Sequence, residues 1–325
     1  MRAVTTAGER VIIDCAVPRL AALLEAATAG ELSAVTTSGE TVYLEIQADR
    51  RPFDHAGWAL IARGVWAAPP RALIIDACSA GFDLLVEPRG PILHVMARYR
   101  PAHPTRAANT LLATRFRLLA AQTLLHYPAL WWASLRGRVP LHVSVTSGAH
   151  GVTMLAGPSG VGKSTLLAQG LSQGESATAD NLCACDTRSA YGLVEPLRVD
   201  TRGRGGPAAP HGRREYPLPG RVPCLDPDRL VVLRRGPTES GSTITPLSSG
   251  EAARELTAGT YMAGELRRFW PFAAALALAT GLGPAQPDVA AVASALAVRL
   301  PCIEVRLTRR SPAPIGELLS MAGAS

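Results

Sequence analysis

The residues best suited to chemistry are GPSGVGKS, Gly157 to Ser164, which fit the pattern G-x-x-x-x-G-K-[ST] with VTMLA before them and TLLAQGL after them. A strand, a glycine-rich turn and a helix in that order predict a phosphate-binding loop of the Walker A type. Glycines 157, 160 and 162 can take positive φ, which turns backbone N–H groups inward on an anion, and the helix N-terminus adds its dipole. Gly157, Pro158, Ser159, Gly160, Val161, Gly162, Lys163, Ser164 and Thr165 are therefore the expected cradle for the phosphates of ATP. Lys163 would neutralise charge on the β- and γ-phosphates, Ser164 would ligate Mg²⁺ through its hydroxyl, and Thr165 would stand near the α-phosphate. Of the 33 basic residues only one is a lysine, and it is Lys163.

The loop alone does not separate kinases from other nucleotide hydrolases. The usual acid at the end of a following apolar strand is missing: RLVVLRRG ends in Arg234 and Arg235, and RALIID ends in Asp76 but lies upstream of the loop. No LSGGQ-like signature points to a transporter ATPase. Downstream of the loop comes TADN, with Asp180 and Asn181 expected at the start or edge of a strand.

In these features the chain resembles the HPr serine kinase family, whose nucleotide core is shared with phosphoenolpyruvate carboxykinases. The likeness rests on His142 in the strand PLHVSV, on GPSGVGKST, and on ADN where the family carries an ADD-type motif. It covers about residues 138 to 190, with a softer echo in LPCIEVRL near 300 to 307. The resemblance implies ATP and Mg²⁺ as cofactors. It makes Asp180 the general base for a substrate hydroxyl or a Mg²⁺ ligand, and puts His142 close to the transferred phosphoryl. Asn181 departs from the family's second Asp, yet its carbonyl oxygen can still ligate Mg²⁺. The long downstream signature of true HPr kinases is missing. The implied acceptor is therefore a serine-type hydroxyl of another peptide or protein, as in the stand-alone relatives of ribosomal-peptide pathways. A small-molecule alcohol kinase and a catalytically weak ATP-binding regulatory protein are the alternatives, and homo-oligomers occur in the family.

Around these residues the expected fold class is α/β: a P-loop core with a mixed, carboxykinase-like sheet at 105–325, preceded by a small α+β domain at 1–104 for substrate or partner. TVYLEI from Thr41 and ALIID from Ala72 alternate like strands. TRAANTLLATRFRLLAAQTLLHY has helical spacing and is expected to end near Pro128. The stretch from Thr201 to Gly220 is expected to be a mobile loop, SGSTITPLSSG a linker, and PDVAAVASALAVRL a last helix before the strand CIEVRL. Glu195 is a further candidate for Mg²⁺ support, and Arg213, Arg214 and His211 for clamping phosphate.

The formal charge of +7 on 325 residues raises the question of nucleic acid, but the arginines are spread along the chain without interleaved aromatics, and no nucleic-acid partner is expected. The longest apolar run, FAAALALA, falls short of the ~20 residues that cross a bilayer. With MRAVTTAGERVIIDC lacking a secretory pattern, a cytoplasmic, membrane-free location is expected. Six cysteines without CxxC spacing read as reduced thiols, Cys183 and Cys185 as plain strand residues.

Overall fold

Val42, Leu44 and Ile46 alternate with half-buried polar positions in VYLEIQ, the pattern of a strand with one face turned to a core. The computed structural model, which describes residues 1–35, 39, 41–199, 207–208, 212–236 and 242–308, contains it as one strand of a large mixed sheet. The chain begins with β1 (Arg2–Thr6), β2 (Glu9–Cys15), α1 (Pro18–Ala27), β3 (Ser33–Ala34) and β4 (Val42–Gln47). It continues through β5 (Ala59–Ala62), β6 (Val65–Ala68), β7 (Arg71–Ala77), β8 (Phe82–Arg89) and β9 (Ile92–Tyr99). Among the described residues these nine strands lie in the order β3-β1-β2-β4-β9-β8-β7-β6-β5. The β2–β4 and β4–β9 pairs are parallel and the others antiparallel.

The next, helical run differs from expectation. It is divided into α2 (His103–Leu111) and α3 (Ala113–Ala121), passes through a π-helical turn at Gln122–His126, and goes on as α4 (Tyr127–Ser134). Pro128 does not end it, because it comes just after the π-helical turn, where the backbone has already left the i→i−4 ladder that a proline would break. All eight residues of α4 are buried, which matches a helix that is apolar on every side.

The chain divides into two compact units. The first joins Met1–Gly137 to Arg268–Pro287, and the second joins Arg138–Arg267 to the chain from Asp288 onward. The division expected at 104/105 thus falls inside the first unit. Phe116 of α3 lies against Phe82 and Tyr99 of the large sheet, with ring centroids 6.1 and 5.5 Å away, which ties these helices to the residues before them.

The second unit opens with β10 (Val139–Leu141), β11 (Val143–Gly148), β12 (Gly151–Ala156), α5 (Lys163–Ser172) and β13 (Ser176–Ala177). Next come β14 (Cys183–Cys185), β15 (Ala190–Gly192), β16 (Leu197–Val199), β17 (Arg214–Tyr216) and β18 (Cys224–Leu225). It proceeds through β19 (Arg229–Arg235), β20 (Thr243–Pro246) and α6 (Ser249–Tyr261); α7 (Phe269–Thr280) belongs to the first unit, and α8 (Val289–Arg299) and β21 (Cys302–Leu307) complete the second. Two expectations need correction here. The segment read as a linker contains β20, and part of the expected loop at 201–220 is β17, whose partner is β16.

Among the described residues the second unit carries a six-stranded mixed sheet, β13-β11-β12-β19-β21-β20, and an antiparallel sheet, β10-β14-β15-β18. The protein is therefore mixed α/β. In the six-stranded sheet β12 pairs in parallel with β19, and β19 with β21. Cys183 and Cys185 are buried free thiols of β14. Among the described residues no helix is long and apolar enough to cross a membrane.

Helix α6 is started by a reciprocal cap: the Ser248 hydroxyl accepts from Glu251 N–H at 3.3 Å, and the Glu251 carboxylate accepts from Ser248 N–H. Ser248→Ala is expected to lower stability by about 1 kcal/mol. The readout is the midpoint of urea unfolding, and an unmoved midpoint would mean the cap contributes nothing.

Candidate functional site

Two parallel strands and a helix hold the glycine-rich turn. Leu155 of β12, Val231 and Leu233 of β19, and Val305 and Leu307 of β21 form a buried cluster with Leu166 of α5. Val161, in the middle of the turn, is part of that cluster and pins the loop from below. Gly157, Gly160 and Gly162 all have positive φ. At Gly157 no other residue would serve: its φ is +144°, and a Cβ would stand 2.7 Å from the Leu233 carbonyl oxygen.

Above this base the first turn of α5 has no side-chain cap and no acidic residue, so its positive dipole end is open to an anion, while the Thr165 and Leu166 N–H groups donate to the Gly162 carbonyl at 3.1 and 3.0 Å. Lys163 is 4% exposed, and its Nζ donates to the Gly157 carbonyl at 2.7 Å. Burial pushes the Lys163 amine down to about 8, against the upward pull of the Asp180 and Glu265 carboxylates. Arg235, at the end of β19, donates to the Gly160 carbonyl at 3.0 Å. A cavity of about 290 Å³ opens over the loop, lined by Ser159, Gly160, Gly162 to Thr165, Asn181, Arg198, Arg213 and Arg235.

Asp180 and Asn181 sit in an irregular segment between β13 and β14 rather than on a strand edge. Asp180 is 0% exposed, and its Oδ2 accepts from Asn181 Nδ2 and from Arg198 N–H, each at 3.0 Å. Its Oδ1 is buried and without a hydrogen-bond partner among the described residues. Burial raises the Asp180 pKa; the nearby Ser164 hydroxyl and the Arg198 and Lys163 charges oppose this. Beside it Glu195 Oε1 accepts from Asn181 N–H at 3.0 Å, and Glu195 Oε2 meets Arg198 Nη1 at 3.2 Å. Glu195 is pushed up to about 7, chiefly by its burial. Arg198 also faces Glu215, its partner across the β16–β17 pair, at 3.8 Å.

A scan against protein-family models returns no match, and a search of curated proteins returns none either. The chemistry must be read from the residues themselves.

The structure gathers Lys163, Ser164, Asp180 and Asn181 around one loop, but not all of them reach the cavity. Asn181 lines it; Asp180 lies sealed behind it. His142 falls between β10 and β11, where the chain passes from one sheet to the other, and is 4% exposed. Its N–H donates to Thr260 Oγ1 at 3.1 Å, and its Nδ1 has no partner among the described residues. Burial first, and the Lys163 charge second, push the imidazole down to about 4. His142 is therefore neutral at pH 7. A histidine NMR titration is expected to find it unprotonated until the pH falls to about 4; an inflection near 6.5 would contradict this. Because its folded pKa is depressed, the unfolded chain takes up its proton first. His142 thus lowers stability as the pH drops from about 6.5 to about 4.

Of the weaker candidates, Glu195 and Arg213 join this cluster, Arg214 lies in β17 opposite Val199, and His211 is outside the described residues. Arg198, Glu215, Glu265 and Arg235 were not singled out from the sequence. Arg198 alone had a visible signal, since GLVEPLRV places two charges three residues apart in an otherwise apolar stretch.

The donors fit Mg²⁺ better than a softer metal. A buried carboxylate oxygen without a partner stands near a serine hydroxyl, and a hard cation takes such oxygens while its other ligands come from water and phosphate. Among the described residues no group of three or more His, Cys, Asp or Glu side chains is disposed to hold a metal ion.

Proposed function

We propose that this chain binds ATP with Mg²⁺ over the Gly157–Ser164 loop and transfers its γ-phosphoryl to a hydroxyl, as the HPr-kinase-like enzymes it resembles do. The acceptor is a serine-type side chain of a peptide or protein. The observation that carries the reading is the partnerless Asp180 Oδ1, buried against Ser164 and Lys163 at the base of an anion-ready loop.

Ser164 and Asp180, with Asn181 through its carbonyl oxygen, would hold the Mg²⁺, which supplies charge neutralisation on the phosphates. The loop N–H groups and the α5 dipole would hold the β- and γ-phosphate oxygens. Lys163 would leave the Gly157 carbonyl for the phosphates, where its charge is best compensated as the transfer proceeds. Arg213 and Arg235, on the cavity wall, add positive charge for the phosphates. In the alternative role, with the Mg²⁺ held by Ser164 and Asn181, the partnerless Asp180 oxygen would take the acceptor's proton. Neutral His142 keeps a second positive charge away from Lys163.

One observation favours a second reading, a protein that binds ATP and turns it over weakly or not at all: Asp180 is fully shielded from the cavity. The test is incubation with ATP and Mg²⁺ across serine-containing peptides and small alcohols, read by ADP release and product mass. Phosphate on a peptide supports the kinase, phosphate on an alcohol moves the acceptor class, and saturable ATP binding without transfer selects the second reading.

A further inference from the structure

The first unit holds a second basic cavity, of about 370 Å³, and its walls come from four separate segments. Arg19, Arg50 and Arg106 line it, together with Tyr99, and no acidic residue does. None of the three arginine side chains makes an ion pair among the described residues, because the neighbouring carboxylates are taken: Asp49 by Arg51 and Arg98, and Asp83 by Arg100. Three like charges around one cavity repel one another unless a counter-charge enters.

The backbone adds to the same field. Val17, Arg19 and Leu20 belong to the start of α1, and Pro101 and Arg106 to the start of α2. Neither helix has a side-chain cap or an acidic residue in its first turn, and α1 carries Arg19 there instead, against its own dipole. The Tyr99 hydroxyl accepts from Asn109 Nδ2 at 3.1 Å, which leaves its own proton to donate. Asn109 is itself buried, 7% exposed, and its other Nδ2 bond, to the Ala80 carbonyl, fixes this pair in the cavity wall. Leu20, Pro101 and Phe116 provide an apolar wall.

We propose that this cavity is a second ligand site, separate from the glycine-rich loop, for a small organic molecule that joins a multiply charged oxyanion to an apolar or aromatic group. The oxyanion lies among Arg19, Arg50, Arg106 and the Tyr99 hydroxyl, with arginine forks matched to its oxygens. The apolar group lies against Leu20 and Phe116. A cavity of this size holds a small organic ligand.

The experiment is isothermal titration of the full chain with phenyl phosphate, and with inorganic phosphate as the probe lacking the ring. Phenyl phosphate is expected to bind more tightly than inorganic phosphate, and added salt to weaken both. Arg19→Gln with Arg106→Gln should cost about tenfold or more in affinity for phenyl phosphate. Arg50→Gln, on a different segment, gives an independent reading should the double variant melt early. Unchanged affinity in these arginine variants, or no saturable binding at millimolar phenyl phosphate, would overturn the proposal. None of these outcomes depends on whether the chain is a kinase.

Discussion

Lys163→Met is expected to lower ATP-dependent phosphoryl transfer by about 10²- to 10³-fold, with the fold kept. Met retains the long stem that packs in a position 4% exposed, and it removes a charge that burial already disfavours. The loss should fall on turnover more than on binding, because the loop N–H groups and the α5 terminus remain to hold phosphate. As the sole lysine, Lys163 also offers a direct chemical reading. Its neutral amine is the form that acylating reagents attack, so labelling at Lys163, read by peptide mass apart from the α-amine, should reach half its limiting rate near pH 8 and be suppressed by ATP with Mg²⁺. A midpoint near 10.5, or labelling indifferent to ATP, would remove Lys163 from the site.

Asp180→Asn is expected to lower transfer by about 10²- to 10⁴-fold while leaving the protein as stable as before, or more so, at neutral and alkaline pH. The sign follows from burial. A carboxyl whose folded pKa is raised gives stability that is present below its unfolded value and lost as pH rises through the folded one, and Asn has no such loss. Asn can still accept the Arg198 N–H. The carboxylate also holds the Lys163 pKa up, so the acylation midpoint of Lys163 should shift below 8 in this variant. Calorimetric melting beside turnover separates the roles: a fall in both activity and melting temperature would make Asp180 structural, and full activity would remove it from the chemistry.

The loop was legible because its backbone geometry is written locally. Three glycines, a lysine and a serine at fixed spacing must form a turn of positive φ between a strand and a helix, and β12, Gly157–Gly162 and α5 are that unit. TADN was legible as polar residues beside an apolar segment, and TVYLEI and CIEVRL as alternating strands. Helix continuity was not. Pro128 reads as a stop in one dimension, yet it is tolerated in the first turn of α4 after a π-helical turn.

The sequence by itself determined the glycine-rich turn, the lone lysine within it and the strand and helix on either side of it, since each follows from residue type and short-range spacing. Only the tertiary structure decided the electrostatics. It put Glu195, Arg198 and Glu215 beside Asp180, bonded Arg235 at the end of β19 to the Gly160 carbonyl, and sealed His142 in its neutral form. A pKa or an ion pair depends on burial and on neighbours brought from distant segments, and no short spacing encodes either.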